Sequence, residues 1–99
     1  MQVEKKVVTL PNELKVYVEH HIVDTSFDTA MLVNGALATT ASFGQTVQYL
    51  GERMNTICFD LPYAGQSRQH NPGCFILTKD DEAAILQYLV ERFAPAFLV

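Results

Sequence analysis

The sequence lacks the features that define several classes of protein. Its 99 residues contain seven lysines and arginines against eleven acidic residues, and the positive charges are scattered. Nucleic-acid binding needs clustered positive charge to displace counterions from phosphates, so we expect no nucleic-acid partner. No apolar run approaches the roughly 20 residues that span a bilayer, and the N-terminus has no signal-peptide pattern. We therefore expect a cytoplasmic protein without a membrane span.

Metal and cofactor motifs are also missing. Cys58 and Cys74 do not have the spacing of metal ligands, which predicts two reduced thiols. His20 and His21 close a predicted strand, where adjacent side chains point to opposite faces, so we expect a solvated strand end rather than a ligand pair. There is no G-x-G-x-x-G motif and no phosphate-binding loop. We predict neither a metal site nor a cofactor.

The apolar residues, 48% of the sequence, follow the periods of strands and helices. Residues 7–10 and 14–19 flank a proline-initiated turn and predict an antiparallel hairpin at a sheet edge. Residues 29–34, 56–59 and 96–99 are apolar without alternation, as in parallel strands buried on both faces. Apolar residues at helical spacing predict one helix over 43–54, with Ser42 as N-cap, and another that begins at Thr78 with a capping box and continues to residue 93. This order predicts an α/β fold with right-handed crossovers.

Two loops follow the carboxyl ends of predicted parallel strands, where such sheets bind ligands. The first is Asn34-Gly-Ala-Leu-Ala-Thr-Thr-Ala-Ser-Phe43, in which the amides after Gly35 are free to stabilise an oxyanion. Taken alone, this loop is better explained as an ordinary strand-to-helix turn.

The second loop is Asp60-Leu-Pro-Tyr-Ala-Gly-Gln-Ser-Arg68. An acid at a strand end followed by proline, Gly65 and Ser67 predicts a tight turn held by hydrogen bonds from side chains to the backbone. We interpret Asp60 as a brace rather than a catalytic acid. Ser67 has no neighbouring base and is not interpreted as a nucleophile, and His70 is interpreted as a loop residue. No G-x-S-x-G nucleophile elbow is present anywhere.

The two loops at this spacing resemble the front end of the α/β-hydrolase fold. Residues 31–43, 59–72 and 78–82 closely resemble the rhamnolipid-precursor synthases, which are also called the A component of rhamnosyltransferase. These acyltransferases make 3-(3-hydroxyalkanoyloxy)alkanoates. The sister family of 3-hydroxyacyl carrier protein:coenzyme A transacylases shares the Asn-Gly and Ala-Thr-Thr-Ala-Ser-Phe elements, while the Gln-Ser-Arg-Gln-His-Asn-Pro stretch is more similar to the synthases.

The resemblance implies a mechanism and a set of roles. A serine activated by a histidine and an acidic residue takes the hydroxyacyl group from acyl carrier protein or coenzyme A, and the hydroxyl of a second hydroxyacyl group then attacks. The amide of Ala36 matches the oxyanion position, in a substrate loop that comprises Asn34, Gly35, Ala36 and Leu37. Asp60, Gly65 and Ser67 lie on the site-rim loop. No triad position has a counterpart up to Val99.

We therefore expect residues 1–99 to form part of one α/β-hydrolase domain, truncated before the nucleophile elbow. The segment itself is expected to be inactive and to self-associate. Two alternatives stay open at this point. One is a small non-enzymatic α/β binding module, supported only by Asp60 at a strand end. The other is part of an esterase or dehalogenase of the same fold.

Overall fold

The computed structural model describes residues 2–33, 39–73 and 77–99. Within these ranges the strands are β1 (Gln2–Thr9), β2 (Lys15–Ile22), β3 (Thr29–Met31), β4 (Asn55–Asp60) and β5 (Phe97–Leu98). The α-helices are α1 (Gly44–Leu50) and α2 (Lys79–Phe93). Two 3₁₀ helices, Thr40–Phe43 and Gly65–His70, follow β3 and β4 respectively. None of the described helices combines the length and the apolar character that a membrane span requires.

The strands form one sheet in the order β1-β2-β4-β3-β5. β1 pairs with β2, and β2 with β4, in antiparallel orientation, whereas β3 pairs with β4 and β5 in parallel. The predicted hairpin at the sheet edge and the parallel strands after it are confirmed. Because each parallel connection needs a crossover, the helical segments between β3, β4 and β5 pack on the sheet faces.

A hydrophobic core lies on each side of this sheet. On one face, Ile85 and Leu89 of α2 pack against a set of buried residues that comprises Val8, Leu10, Val16, Val18, Met31, Ile57 and Phe59. On the other face, Val47 of α1 packs against Leu32 and Cys58. Successive residues of β4 thus serve opposite cores, which explains why that strand is apolar without alternation. Burial raises the pKa of the Cys58 thiol to about 12, so this cysteine is protonated at neutral pH.

The second helix agrees closely with its sequence prediction. The amide of Asp81 donates to Thr78 Oγ1 at 3.1 Å, and the Thr78 amide donates to Asp81 Oδ2 at 2.9 Å, so the predicted capping box is present. At the other end, Ala94 takes a left-handed conformation with φ 46° and donates its amide to Val90, just before Pro95. These local signals are sufficient to set both ends of the helix.

The first helix differs from its prediction. Ser42 is not an N-cap but lies inside the 3₁₀ helix that begins after Thr39, and α1 starts only at Gly44. The Ser42 hydroxyl accepts from the Thr39 amide at 3.3 Å, so it supports the preceding turn. The helix also ends earlier than predicted, at Leu50, because residues 51–53 form a turn and β4 begins at Asn55, directly after Met54.

The bounds of the strands also differ from those that the sequence predicts. β1 and β2 are longer than predicted because they pair residue by residue from Gln2↔Ile22 to Thr9↔Lys15. His20 and His21 are therefore partly buried inside β2, and the prediction of a solvated strand end is wrong. β3 and β5 are shorter than predicted, although backbone hydrogen bonds continue past β3 from Leu32 to Ile57 and from Val33 to Val99, each at 2.9 Å.

Candidate functional site

The four residues of the oxyanion loop that the sequence predicts lie outside the described residues. They are Asn34, Gly35, Ala36 and Leu37. The residues that flank this segment are described. On the entry side, the Val33 amide donates to the carbonyl of Val99 beside β5. On the exit side, the Thr40 amide donates to Asp60 Oδ1 at 2.6 Å. The segment therefore starts and ends at residues that are hydrogen-bonded to the carboxyl edge of the parallel strands.

Asp60 is the last residue of β4 and is completely buried, with 0% of its surface exposed. Its two carboxylate oxygens accept from different segments, Oδ1 from the Thr40 amide and Oδ2 from the Gln66 amide at 2.8 Å. The Thr40 hydroxyl lies 3.5 Å from Oδ2. Among the described residues, no cation forms an ion pair with this carboxylate. Backbone amides thus stabilise its buried charge, and Asp60 joins the two predicted loops.

Gly65 allows the second loop to approach this carboxylate. Its φ is +48°, a left-handed conformation that glycine adopts without steric cost. A Cβ atom at this position would collide with the Asp60 carboxyl group. The turn therefore favours glycine at position 65, and the close approach to Asp60 requires it.

The hydroxyl group of Ser67 also braces the loop. Ser67 is buried, its Oγ accepts from the Tyr17 amide at 2.8 Å, and the same hydroxyl donates to the Asp60 carbonyl at 2.6 Å. These bonds link the second 3₁₀ helix to β2 and β4, and they are the hydrogen bonds to the backbone that the sequence predicted. Among the described residues, no serine hydroxyl is hydrogen-bonded to a histidine.

Asn71 completes the brace, and sequence reasoning did not identify it. Its buried carboxamide oxygen accepts from the Lys15 amide at 2.7 Å, and its Nδ2, which carries two hydrogens, lies 2.6–2.8 Å from the carbonyl oxygens of Lys15, Pro62 and Ser67. It thereby closes the loop onto the start of β2. The Asn-Pro dipeptide, a typical turn signal, is the pattern that marks this position in the sequence.

A second polar group lies on the face of β2 that α1 covers. The Tyr17 hydroxyl donates to Glu19 Oε2 at 2.5 Å, and His21 Nε2 lies 3.2 Å from Glu19 Oε1. Burial, reinforced by the hydrogen bond to Glu19, raises the pKa of Tyr17. On the opposite face, burial lowers the pKa of His20. No cluster of three metal-ligating side chains occurs in the ranges that the structure describes.

Three glycine substitutions test the brace. We expect Gly73→Ala, at φ +83° in open space, to lower the free energy of unfolding by about 1–3 kcal/mol through backbone strain alone. Gly65→Ala should cost more, because it adds a collision with Asp60 to the same kind of strain. Gly44→Ala, in a helix with open space, should stabilise by about 0.5–1 kcal/mol. Urea unfolding of the three variants measures the order, and equal costs at Gly65 and Gly73 would contradict the close approach.

Comparison with known proteins gives relatives of one kind. No protein-family model matches the sequence. It is 42% identical over 93 residues to the (R)-3-hydroxydecanoyl-ACP:CoA transacylase of Pseudomonas putida, and 41% identical to that of Pseudomonas aeruginosa. Each match covers 94% of this chain, but the chain spans only about a third of the length of these relatives, 32% and 31%. The relatives thus carry the name of the sister transacylase family, and rhamnolipid is not part of that name.

Solved structures show the fold. The chain matches an N-acyl homoserine lactonase, AidH, with a TM-score of 0.75 and 14% identity, and the match covers 99% of this sequence and 35% of the lactonase. It matches an α/β-hydrolase enzyme from a Medee basin deep-sea metagenome library with a TM-score of 0.70 and 22% identity, over 88% and 30% of the two proteins. The chain is thus similar over nearly its whole length to (R)-3-hydroxydecanoyl-ACP:CoA transacylases, and its fold is that of the N-terminal part of an α/β hydrolase.

Proposed function

We propose that residues 1–99 form the oxyanion-loop and site-rim part of a serine-dependent acyltransferase that acts on 3-hydroxyacyl thioesters. The observation that carries this proposal is the 41–42% identity to transacylases over 94% of the sequence. The α/β-hydrolase fold supports it, because that fold presents a nucleophile at the carboxyl edge of its parallel strands. The segment is one part of a single domain, and its proposed location is the cytoplasm.

The proposed reaction transfers an acyl group in two steps. A serine hydroxyl outside this segment attacks the thioester carbonyl of hydroxyacyl carrier protein, its proton passes to a histidine, and the carrier thiol leaves with a proton. The thiol of coenzyme A then gives its proton to the histidine and attacks the acyl-serine ester, and the histidine returns that proton to the serine oxygen as it leaves. The amide of Ala36 donates to the oxyanion in both steps. Asp60, Gly65 and Ser67 shape the rim beside it, and no cofactor takes part.

A second candidate differs only in the final acceptor. In the synthase reaction, the hydroxyl of another 3-hydroxyacyl group attacks the acyl-serine and forms an ester between two hydroxyacyl units. The Gln-Ser-Arg-Gln-His-Asn-Pro stretch of the rim loop favours this acceptor, whereas the names of the curated relatives favour coenzyme A. The binding-module alternative has no comparable support. An esterase would use water instead, and nothing in the relatives' names favours it.

A hybrid enzyme tests the proposal. Residues 1–99 replace the matching segment of the Pseudomonas putida transacylase, and the purified hybrid receives 3-hydroxydecanoyl carrier protein and coenzyme A. We expect hydroxydecanoyl-coenzyme A as the product detected by mass spectrometry, or the ester-linked dimer if the second candidate is right. The remainder of the transacylase without this segment is the control and should be inactive.

We also expect the isolated 99-residue protein to give no turnover, because removal of triad members costs roughly six orders of magnitude in kcat. Two results would contradict the proposal. One is a correctly folded hybrid that transfers no acyl group. The other is turnover by the isolated 99-residue protein that a Ser42→Ala or Ser67→Ala change abolishes.

A further inference from the structure

We propose that Lys15 and Arg68 form a binding site for the phosphate of a phosphopantetheine arm, an inference that rests on the proposed function. Acyl carrier protein and coenzyme A, the two carriers in the names of the relatives, both hold an acyl thioester at the end of such an arm. Both proposed substrates therefore carry an anionic phosphate that is set back from the reacting thioester. Lysine and arginine side chains are the usual protein partners of phosphate.

The fold brings these two cations together from distant parts of the sequence. Lys15 begins β2, and Arg68 lies in the last turn of the second 3₁₀ helix. Asn71 joins them, because its side-chain oxygen accepts from the Lys15 amide at 2.7 Å and its own amide donates to the Arg68 carbonyl at 3.3 Å. Since Asn71 is buried, this link fixes the two main chains as neighbours.

The pair lies at the edge of the sheet where ligands are expected. Tyr17, two residues after Lys15, pairs with Asp60 at the end of β4, and Arg68 belongs to the loop that leaves that strand. The start of β2 is therefore at the carboxyl edge of the parallel strands. The strand order places β2 three strand spacings from β5, or roughly 14 Å. The nucleophile is proposed to follow β5, so this distance suits the far end of an extended arm.

Both side chains are available to an anion. Lys15 and Arg68 are exposed, and within the described ranges the ion pairs are Lys6–Glu4 and His21–Glu19, which leave both of them free. The carboxylate of Asp60 is nearby, but it is completely buried and accepts from backbone amides. An incoming phosphate therefore meets two exposed positive charges without having to displace an acidic side chain.

Other cations of the described chain fit this role less well. Lys79 begins α2 and is followed directly by three acidic residues. Lys6 is paired with Glu4 on β1. Arg53 is exposed and has no ion pair among the described residues, but it lies in the turn before β4, at the opposite edge of the sheet. Arg53 is thus a matched control for the loss of one positive charge.

Charge removal in the active hybrid tests the inference. Lys15→Gln and Arg68→Gln should each raise KM for 3-hydroxydecanoyl carrier protein about two- to fivefold, the usual size of an exposed ion pair, and the double variant by about the product. KM for coenzyme A should rise in the same way, because its arm enters the same site. kcat should not change, since the phosphate is bound equally before and during the reaction. A rise in salt from about 0.05 to 0.5 M should reduce the difference through screening.

Three controls separate phosphate binding from other effects. The thioester 3-hydroxydecanoyl-pantetheine has the same arm without the phosphate, and its KM should be equal in the hybrid and in the double variant. Arg53→Gln should leave KM for the carrier protein unchanged. Lys15→Arg keeps the positive charge and should keep KM close to that of the hybrid.

The outcomes distinguish this inference from the proposed function. An active hybrid whose double variant keeps its KM for the carrier protein overturns the phosphate site alone. Equal increases with the pantetheine thioester, or with Arg53→Gln, also overturn it. An increase confined to the carrier protein overturns it too, because it would show contact with the protein surface rather than with the phosphate. A folded hybrid without activity contradicts the proposed function, and this inference falls with it.

Discussion

In the active hybrid enzyme, we expect Ala36→Pro to lower kcat by about 10²–10³-fold, the usual cost of removing one oxyanion donor. Proline has no backbone N–H, so the change deletes the donor amide that the resemblance assigns to this position. The effect should fall on kcat rather than KM, because the ground-state thioester carbonyl gains little from that donor. Stopped-flow release of the carrier thiol measures the acylation step directly.

The control for this variant is Ala36→Gly. Glycine keeps the N–H and removes only a methyl group, so we expect it to retain kcat within about tenfold even if the loop becomes more flexible. A variant pair with equal losses would show that the loop conformation, and not the donor, limits the rate. Unchanged turnover in a correctly folded Ala36→Pro hybrid would exclude the assignment of Ala36 to the oxyanion site.

We expect the 99-residue protein on its own to self-associate through β5. That strand is the last in the sheet, with β3 as its neighbour on one side and no strand among the described residues on the other. Phe97, Leu98 and Val99 are 48%, 53% and 62% exposed. An apolar edge with free backbone donors and acceptors pairs readily with another molecule. Sedimentation velocity should therefore detect dimers or larger species.

Leu98→Lys tests which surface is responsible, because a charge on an edge strand disfavours pairing with a second copy. We expect this variant to shift the protein toward the monomer at the same concentration. Tyr49→Lys is the matched control, since Tyr49 is 83% exposed but lies on α1, away from the edge. A dilute unsubstituted monomer with a sharp cooperative thermal transition would contradict the prediction and would favour an independent binding module.

The features that the sequence predicted correctly are those with local causes. Helix α2 carries its own capping box at Thr78 and its own left-handed end at Ala94, so its limits follow from neighbouring residues. The turn at Gly65 also has a local cause, because its left-handed backbone conformation favours glycine. The edge hairpin and the parallel strands after it also followed from pattern, since unalternated apolar strands separated by helices indicate a parallel sheet.

Other features were determined only by the tertiary structure, because they depend on contacts between residues that are distant in the sequence. His20 and His21 are partly buried because β1 extends to Gln2 and pairs with them, which no local period reveals. Asn71 bonds to Lys15 across 56 positions, and Asp60 bonds to Thr40 across 20. The sequence by itself identified Asp60 as a brace of its own loop. The fold showed that this carboxylate also holds the exit of the neighbouring loop, because parallel strands bring their carboxyl ends to one edge of the sheet.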